Sequence, residues 1–204
     1  MHITILTFDG FNELDSLIAL GILNRIKTPG WRVTLASPTA QVESMNGVTL
    51  SRHISLAEAC TADAVLIGSG MKTRDVVADS EIMAQLQLDP ERQLIGAQCS
   101  GALVLARLGL LRTMPVCTDL TTTPWVQDAG VEVLNQPFYA HDNIASAGGC
   151  LASSYLAGWV IARLAGIEAA KSAMDYVAPV GEKDAYVEMM MKNIGPWLPQ
   201  ELEE

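Results

Sequence analysis

The sequence predicts an α/β protein: a mostly parallel sheet covered by helices on both faces. Strand-like and helix-like segments alternate along the chain, and short turn signals separate them with no repeat, low-complexity tract or linker between. Half of the 204 residues are hydrophobic and 18% are charged, enough for one well-buried domain spanning 1–204 and short for two.

Ile3 to Phe8 is a short β-rich run closed by the turn dipeptide Asp9-Gly10. Leu14, Leu17, Ile18, Leu20, Gly21 and Leu23 repeat at helical spacing as far as Ile26, where Thr28-Pro29-Gly30 stops the helix. Arg32 to Ala36 is the next strand. Gln41 to His53 reads as a hairpin turning at Asn46-Gly47. Ala64 to Ile67 is a buried run ended by Gly68-Ser69-Gly70, and a helix capped by Ser80 is expected to reach Leu88. Leu94 to Gln98 is a strand leading into Cys99, and Ala102 to Leu111 is apolar at helical spacing. Val116-Cys117 and Val131 to Leu134 are expected as strands flanking a helix over Thr123 to Ala129. Ile144 to Ala147 is expected to close the sheet, with helices over Cys150 to Leu164 and Glu168 to Val177. Met189-Met190-Met191 fits a core or dimer contact better than a cofactor box.

Thirteen basic against 23 acidic residues give a formal charge of −10, so nucleic acid and anionic membrane surfaces are not expected partners. The uncharged run from Asn143 to Ala162 reaches membrane length but holds Gly148, Gly149, Ser153 and Ser154. It reads as a strand end followed by a buried helix. No secretory signal precedes the first strand, so a cytoplasmic location is expected. Cys60, Cys99, Cys117 and Cys150 lack metal-ligand spacing and are expected as free thiols, each a small core residue or a reactive group. No metal or organic cofactor is expected.

In an open α/β sheet the ligand site lies beyond the carboxyl ends of the strands, which directs attention to the loops after Phe8, Ile67, Gln98 and Cys117. Gly96-Ala-Gln-Cys99-Ser-Gly101 has the layout of a nucleophile elbow, a tight strand-to-helix turn with small neighbours. At a helix N-terminus the Cys99 thiol is expected to be acidified. Asp15 opens the first helix and is expected close to the elbow, held protonated beside a thiolate and able to deliver that proton. Its alternative is a solvated helix-start carboxylate; Glu13, one residue out of phase, reads as surface. The amides of Gly70 and Ser100 are candidate oxyanion donors, and the Ser100 hydroxyl could hold a water or a substrate heteroatom. Asp119 is either a second carboxyl of the site or a cap for the next helix. His2, His53 and His141 fall at no carboxyl strand end and read as structural or exposed.

Phe8-Asp-Gly-Phe-Asn-Glu-Leu-Asp15, Ile67-Gly-Ser-Gly70, Ala97-Gln-Cys99-Ser-Gly101, Leu110-Leu-Arg112 and Asn143-Ile-Ala-Ser-Ala-Gly-Gly149 together resemble the ThiJ/PfpI superfamily. That superfamily includes the parkinsonism-associated deglycase and is related to class I glutamine amidotransferases. The resemblance covers nearly the whole chain and implies a flavodoxin-like, doubly wound sheet. It also implies a nucleophile at Cys99, an acidic partner at Asp15, oxyanion donors at Gly70 and the Ser100 amide, and a homodimer. Within the superfamily the chain is most similar to the isonitrile hydratase branch, with aspartate at Asp15 and a small hydroxyl residue, Ser100, after the cysteine. Protease-type members carry histidine at that position, so peptidase activity is not expected.

The leading functional expectation is a cysteine-dependent hydratase acting on a small molecule. Cys99 would attack the terminal carbon of an isonitrile, Asp15 would protonate it, and water held by Ser100 or Asp119 would release an N-substituted formamide. The alternatives are glyoxalase- or deglycase-like addition to aldehydes, and a redox-sensing or chaperone-like protein whose thiol oxidises to sulfinic acid.

Overall fold

The computed structural model describes residues 1–199. The chain begins with β1 (His2–Leu6), α1 (Glu13–Leu23) and β2 (Arg32–Ala36), followed by the short ribbon β3 (Gln41–Glu43) and β4 (Thr49–Ser51). Next come α2 (Leu56–Ala59), β5 (Ala64–Ile67), α3 (Thr73–Ala78), α4 (Ser80–Gln85), β6 (Leu94–Gln98), α5 (Gly101–Arg107) and α6 (Thr123–Asp128). The hairpin β7 (Phe138–His141) and β8 (Ile144–Ala147) precedes three longer helices, α7 (Ser153–Ala165), α8 (Ile167–Val177) and α9 (Lys183–Ile194).

The sheet order is β2-β1-β5-β6-β8-β7. All neighbours are parallel except the last pair, where β7 runs antiparallel to β8. The alternation along β5 explains why its apolar run is unbroken. Ala64 and Leu66 pack into a core with α1, α7, α8 and α9, whereas Val65 and Ile67 pack into a second core with α2, α3, α5 and α6. A strand clothed on both faces has no solvent side on which to place polar residues.

Four expectations need correction. Val116-Cys117 and Val131 to Leu134 are not strands of the sheet; they pair with each other through a parallel bridge between Val116 and Val133. Ile144–Ala147 does not close the sheet, because β7 folds back along it. The two-residue connection Asp142-Asn143 allows this, with Asp142 at φ 52°, a conformation aspartate tolerates in tight hairpins. The helix expected from Ser80 to Leu88 ends at Gln85 and is capped by Asp79, whose Oδ1 accepts from the Glu81 and Ile82 amides. A side chain one residue before the helix has the reach that Ser80, already inside it, lacks. Finally, α3 and α9 were not anticipated.

The chain from Asn143 to Ala162 runs, as expected, through β8 into α7, with a 3-10 turn at Cys150–Ala152 between them. Among the described residues no helix is long and apolar enough to cross a membrane.

Candidate active site

The strand order reverses between β1 and β5, so the chain leaving β1 and the chain leaving β5 diverge and open a crevice at their carboxyl ends. The loops after β1, β5, β6 and β8 converge there. They bring Ser69-Gly70, Cys99-Ser100 and Gly149-Cys150 around one pocket of about 340 Å³, which Met45, Met71 and Trp125 wall on the apolar side, with Asp15 buried beside Cys99 and Cys150. A larger cleft of about 780 Å³ adjoins it and shares Asp119, Thr121 and Gly149, but does not contain Cys99. The chemistry therefore belongs to the smaller pocket.

Cys99 has a left-handed backbone, φ 46°, the strained turn that lifts a side chain off the sheet edge. Hydrogen bonds hold it from both sides: the Cys99 N–H donates to Ala147 O at 2.8 Å, and Thr118 Oγ1 donates to the Cys99 carbonyl at 2.7 Å. Gly101 lets the following helix start in contact with β5, because a Cβ there would sit 2.5 Å from the Ile67 carbonyl oxygen. Gly148 is pressed in the same way against the backbone of Thr118.

Asp15 lies in the first turn of α1, which Asn12 caps by accepting the Leu14 N–H. The carboxyl group is buried, at 2% exposure. Its Oδ2 accepts from Ser69 Oγ, and its Oδ1 has no hydrogen-bond partner. A carboxylate oxygen, Cys99 Sγ and Cys150 Sγ all lie within 4.8 Å of one another. These three could hold a metal ion by donor type and spacing.

The expected acidification of Cys99 does not occur. Burial, and then the negative charge of Asp15, push the thiol well above its ordinary value. The helix behind it is only seven residues long, too short to reverse the effect. Burial and Asp15 also push the Cys150 thiol up.

Ser100 Oγ is engaged within the protein, accepting the Gly70 N–H at 3.1 Å and bonding Thr73 Oγ1 at 2.7 Å. A substrate atom reaching the Gly70 amide has to displace that hydroxyl. No acceptor among the described residues takes the Ser100 N–H. Asp119 combines the two roles that sequence left open. Its carboxylate takes the Thr121 and Thr122 amides and the Thr122 hydroxyl, fixing the turn before α6, and it also lines the pocket. Glu13 stays at the surface, accepting from Ser44 and from Asn46 at 2.9 Å. The three histidines lie away from the pocket: His2 bonds Thr34 and Arg32, His53 accepts the Leu35 N–H, and His141 lies beside Asp142.

Sequence reasoning missed Ser69, Gln98, Asn12 and Cys150. Gln98 Nε2 donates to Cys99 Sγ at 3.4 Å, and Asn12 Nδ2 donates to Cys150 Sγ at 3.2 Å. All four flank residues already singled out, yet only the strand order says which of them meet.

The model of the DJ-1/PfpI family matches residues 1–162. No curated protein sequence matches the chain. Among solved structures, a ThiJ/PfpI family protein from Pseudomonas syringae is similar, with 17% identity and TM-score 0.76 over 95% of this chain and 87% of that one. A DJ-1 superfamily protein from Salmonella typhimurium, solved as a cysteine-to-alanine mutant, gives 21% identity and TM-score 0.75 over 86% and 97%. Drosophila melanogaster DJ-1beta gives 19% identity and TM-score 0.73 over 86% and 96%. At these identities the likeness carries the fold.

Proposed function

We propose that this chain, which belongs to the DJ-1/PfpI family, is a cytoplasmic cysteine-dependent hydratase acting on small neutral substrates of the isonitrile type. The observation that carries the reading is the Cys99 sulfur held within 4.8 Å of a carboxylate oxygen of the buried Asp15, with no imidazole among the pocket residues. An enzyme that cleaves amides needs an acid for the departing amine, usually histidine. Hydration of an isonitrile begins by adding S–H across a single carbon, so the thiol proton is consumed rather than discarded. Asp15 takes it as Cys99 Sγ bonds to the terminal carbon and returns it to that same carbon, giving a thioimidate. Water then attacks the thioimidate carbon, the C–S bond breaks, and an N-substituted formamide leaves as Cys99 regains its proton. The Ser100 N–H, and the Gly70 N–H once the Ser100 hydroxyl swings aside, would steady the charge on the substrate nitrogen or the attacking oxygen. Asp119 lies where it can orient that water.

The lining supports an uncharged substrate. It holds one carboxylate, Asp119, and no lysine, arginine or histidine, while Met45, Met71 and Trp125 offer an apolar wall. A screen of small alkyl and aryl isonitriles, reactive aldehydes and amides tests the reading. Formamide production that disappears in Cys99→Ser supports it. Lactate from methylglyoxal in place of formamide from isonitriles moves the assignment to glyoxalase-like chemistry, and turnover on neither class removes it.

We also propose a homodimer. Met190 is fully buried and serves the core, which leaves Met189, at 51% exposure, as the exposed methionine of that run. Around the pocket mouth, Met45 and Met71 stand 45% and 65% exposed, and Leu151, next to Cys150, is 76% exposed. Light scattering on the purified protein checks this, with a dimer expected and a shift to monomer in Leu151→Glu.

A further inference from the structure

The hydratase chemistry leaves Cys150 unused, although its sulfur is one of the three donor atoms gathered within 4.8 Å. Its position follows from the sheet. β6 and β8 are parallel neighbours in register from Ile95↔Ile144 to Gln98↔Ala147, so the chain leaving one runs beside the chain leaving the other. Gln98 Nε2 ties the two exits together by donating to the Gly149 carbonyl at 2.8 Å. Each sulfur receives a side-chain amide donor, Gln98 on Cys99 and Asn12 on Cys150. The remaining group is Asp15 Oδ1, deeply buried and without a partner. Both cysteines line the same pocket, Cys99 buried and Cys150 half-buried.

Two thiols beside a carboxylate with one unpartnered oxygen form a dithiol with its own base. We propose that Cys150 is the resolving thiol of Cys99: a small hydroperoxide entering the pocket oxidises Cys99, and the two sulfurs then close a reversible disulfide. In the first step the Cys99 thiol gives its proton to Asp15, sulfur attacks the outer peroxide oxygen, and the O–O bond breaks. The hydroperoxide leaves as an alcohol, or as water when it is hydrogen peroxide, after taking up that proton, and Cys99 becomes a sulfenic acid. In the second step the Cys150 thiol gives its proton to Asp15 and attacks the Cys99 sulfur. The S–S bond forms, the S–O bond breaks, and the hydroxide leaves as water with that proton. The hydroperoxide has accepted two electrons and the two thiols have supplied them. An external dithiol restores both by exchange. Closure asks the sulfurs, which lie within 4.8 Å of each other, to approach to about 2.05 Å. The disulfide spares Cys99 the irreversible step to sulfinic acid.

The inference rests on Cys99 as the pocket-lining nucleophile of the proposed site, but not on the isonitrile chemistry. The test treats the reduced full chain with hydrogen peroxide, removes the excess, alkylates the remaining thiols and maps the peptides. A second sample is alkylated with iodoacetamide without peroxide. The expected result is loss of two of the four free thiols, a dithiothreitol-reversible peptide joining Cys99 to Cys150, and, in Cys150→Ser, sulfinic acid at Cys99 instead. Oxygen added to Cys99 of the unmutated chain while Cys150 remains alkylatable overturns the dithiol and leaves the nucleophile reading standing. A Cys99 that iodoacetamide cannot reach overturns both.

Discussion

At the scale of single residues, the site turns on where one proton resides. Cys99 is held at a positive φ by bonds to Ala147 and Thr118, and strain of this kind, about 1–3 kcal/mol, persists only where the surroundings enforce it. Replacing the sulfur leaves that frame intact, so Cys99→Ser should fold normally while losing turnover by about 10³-fold or more. The thiol itself is raised first by burial and then by the Asp15 charge. Both causes disfavour the thiolate, so iodoacetamide should alkylate Cys99 more slowly than free cysteine at neutral pH. Asp15→Asn removes the charge but not the burial, and the Cys99 pKa should fall. Alkylation should then accelerate by about tenfold for each pKa unit recovered, while hydration activity drops because the proton carrier is gone. An Asp15→Asn rate equal to or below the unmutated one would show that the carboxylate does not act on that sulfur.

At the scale of elements, close packing depends on where side chains are missing. α7 and α9 meet at Gly158, where a Cβ would run into the fully buried Met190 side chain. Gly158→Ala should cost about 1–3 kcal/mol by overpacking, and Met190→Ala about 2–5 kcal/mol by leaving a cavity. In the double variant the added methyl enters the vacated space, so denaturation midpoints should reveal a destabilisation smaller than the sum. The same elements show what was legible beforehand. Strands buried on both faces, such as β5 and β6, announce themselves as apolar runs, and α1 and α7 as apolar spacing. α3 is six residues long with no side-chain cap, and nothing local marks it. β7 was missed because its hairpin turn is Asp142-Asn143 rather than a glycine pair. Asp15, Gly70, Cys99 and Ser100 were legible because each adjoins a turn at a strand's carboxyl end. Cys150, Ser69, Gln98 and Asn12 were not, since their contacts depend on β6 lying beside β8 and on the turn after β1 lying against Ser69, where Asn12 N–H donates to Ser69 O at 2.9 Å.

At the scale of the whole molecule, burying the Cys99 and Cys117 thiols makes stability depend on alkaline pH. Cys117 is buried beyond the elbow, and burial pushes its thiol from 9.0 up to about 12, partly offset by Ser146 and Gln136. Cys99 is displaced in the same direction. In the unfolded chain these thiols ionise near pH 9, whereas the folded chain still holds their protons, so above that pH the native state binds more protons than the denatured one. Unfolding free energy must therefore fall with rising pH, by about 1.4 kcal/mol per pH unit for each such thiol, until the folded-state value is passed. For Cys117 the window runs from 9.0 to about 12. Lysines and tyrosines titrate in the same range, so the decisive quantity is the difference between two proteins. Urea denaturation of the unmutated chain and of Cys117→Ala at pH 7, 9 and 10 (nominal settings, about one to two units apart) should show the variant less stable at neutral pH through its cavity. That deficit should shrink as the pH climbs, because only the unmutated chain loses the thiol's contribution. Parallel curves across the range would mean that the Cys117 thiol ionises as readily in the fold as outside it.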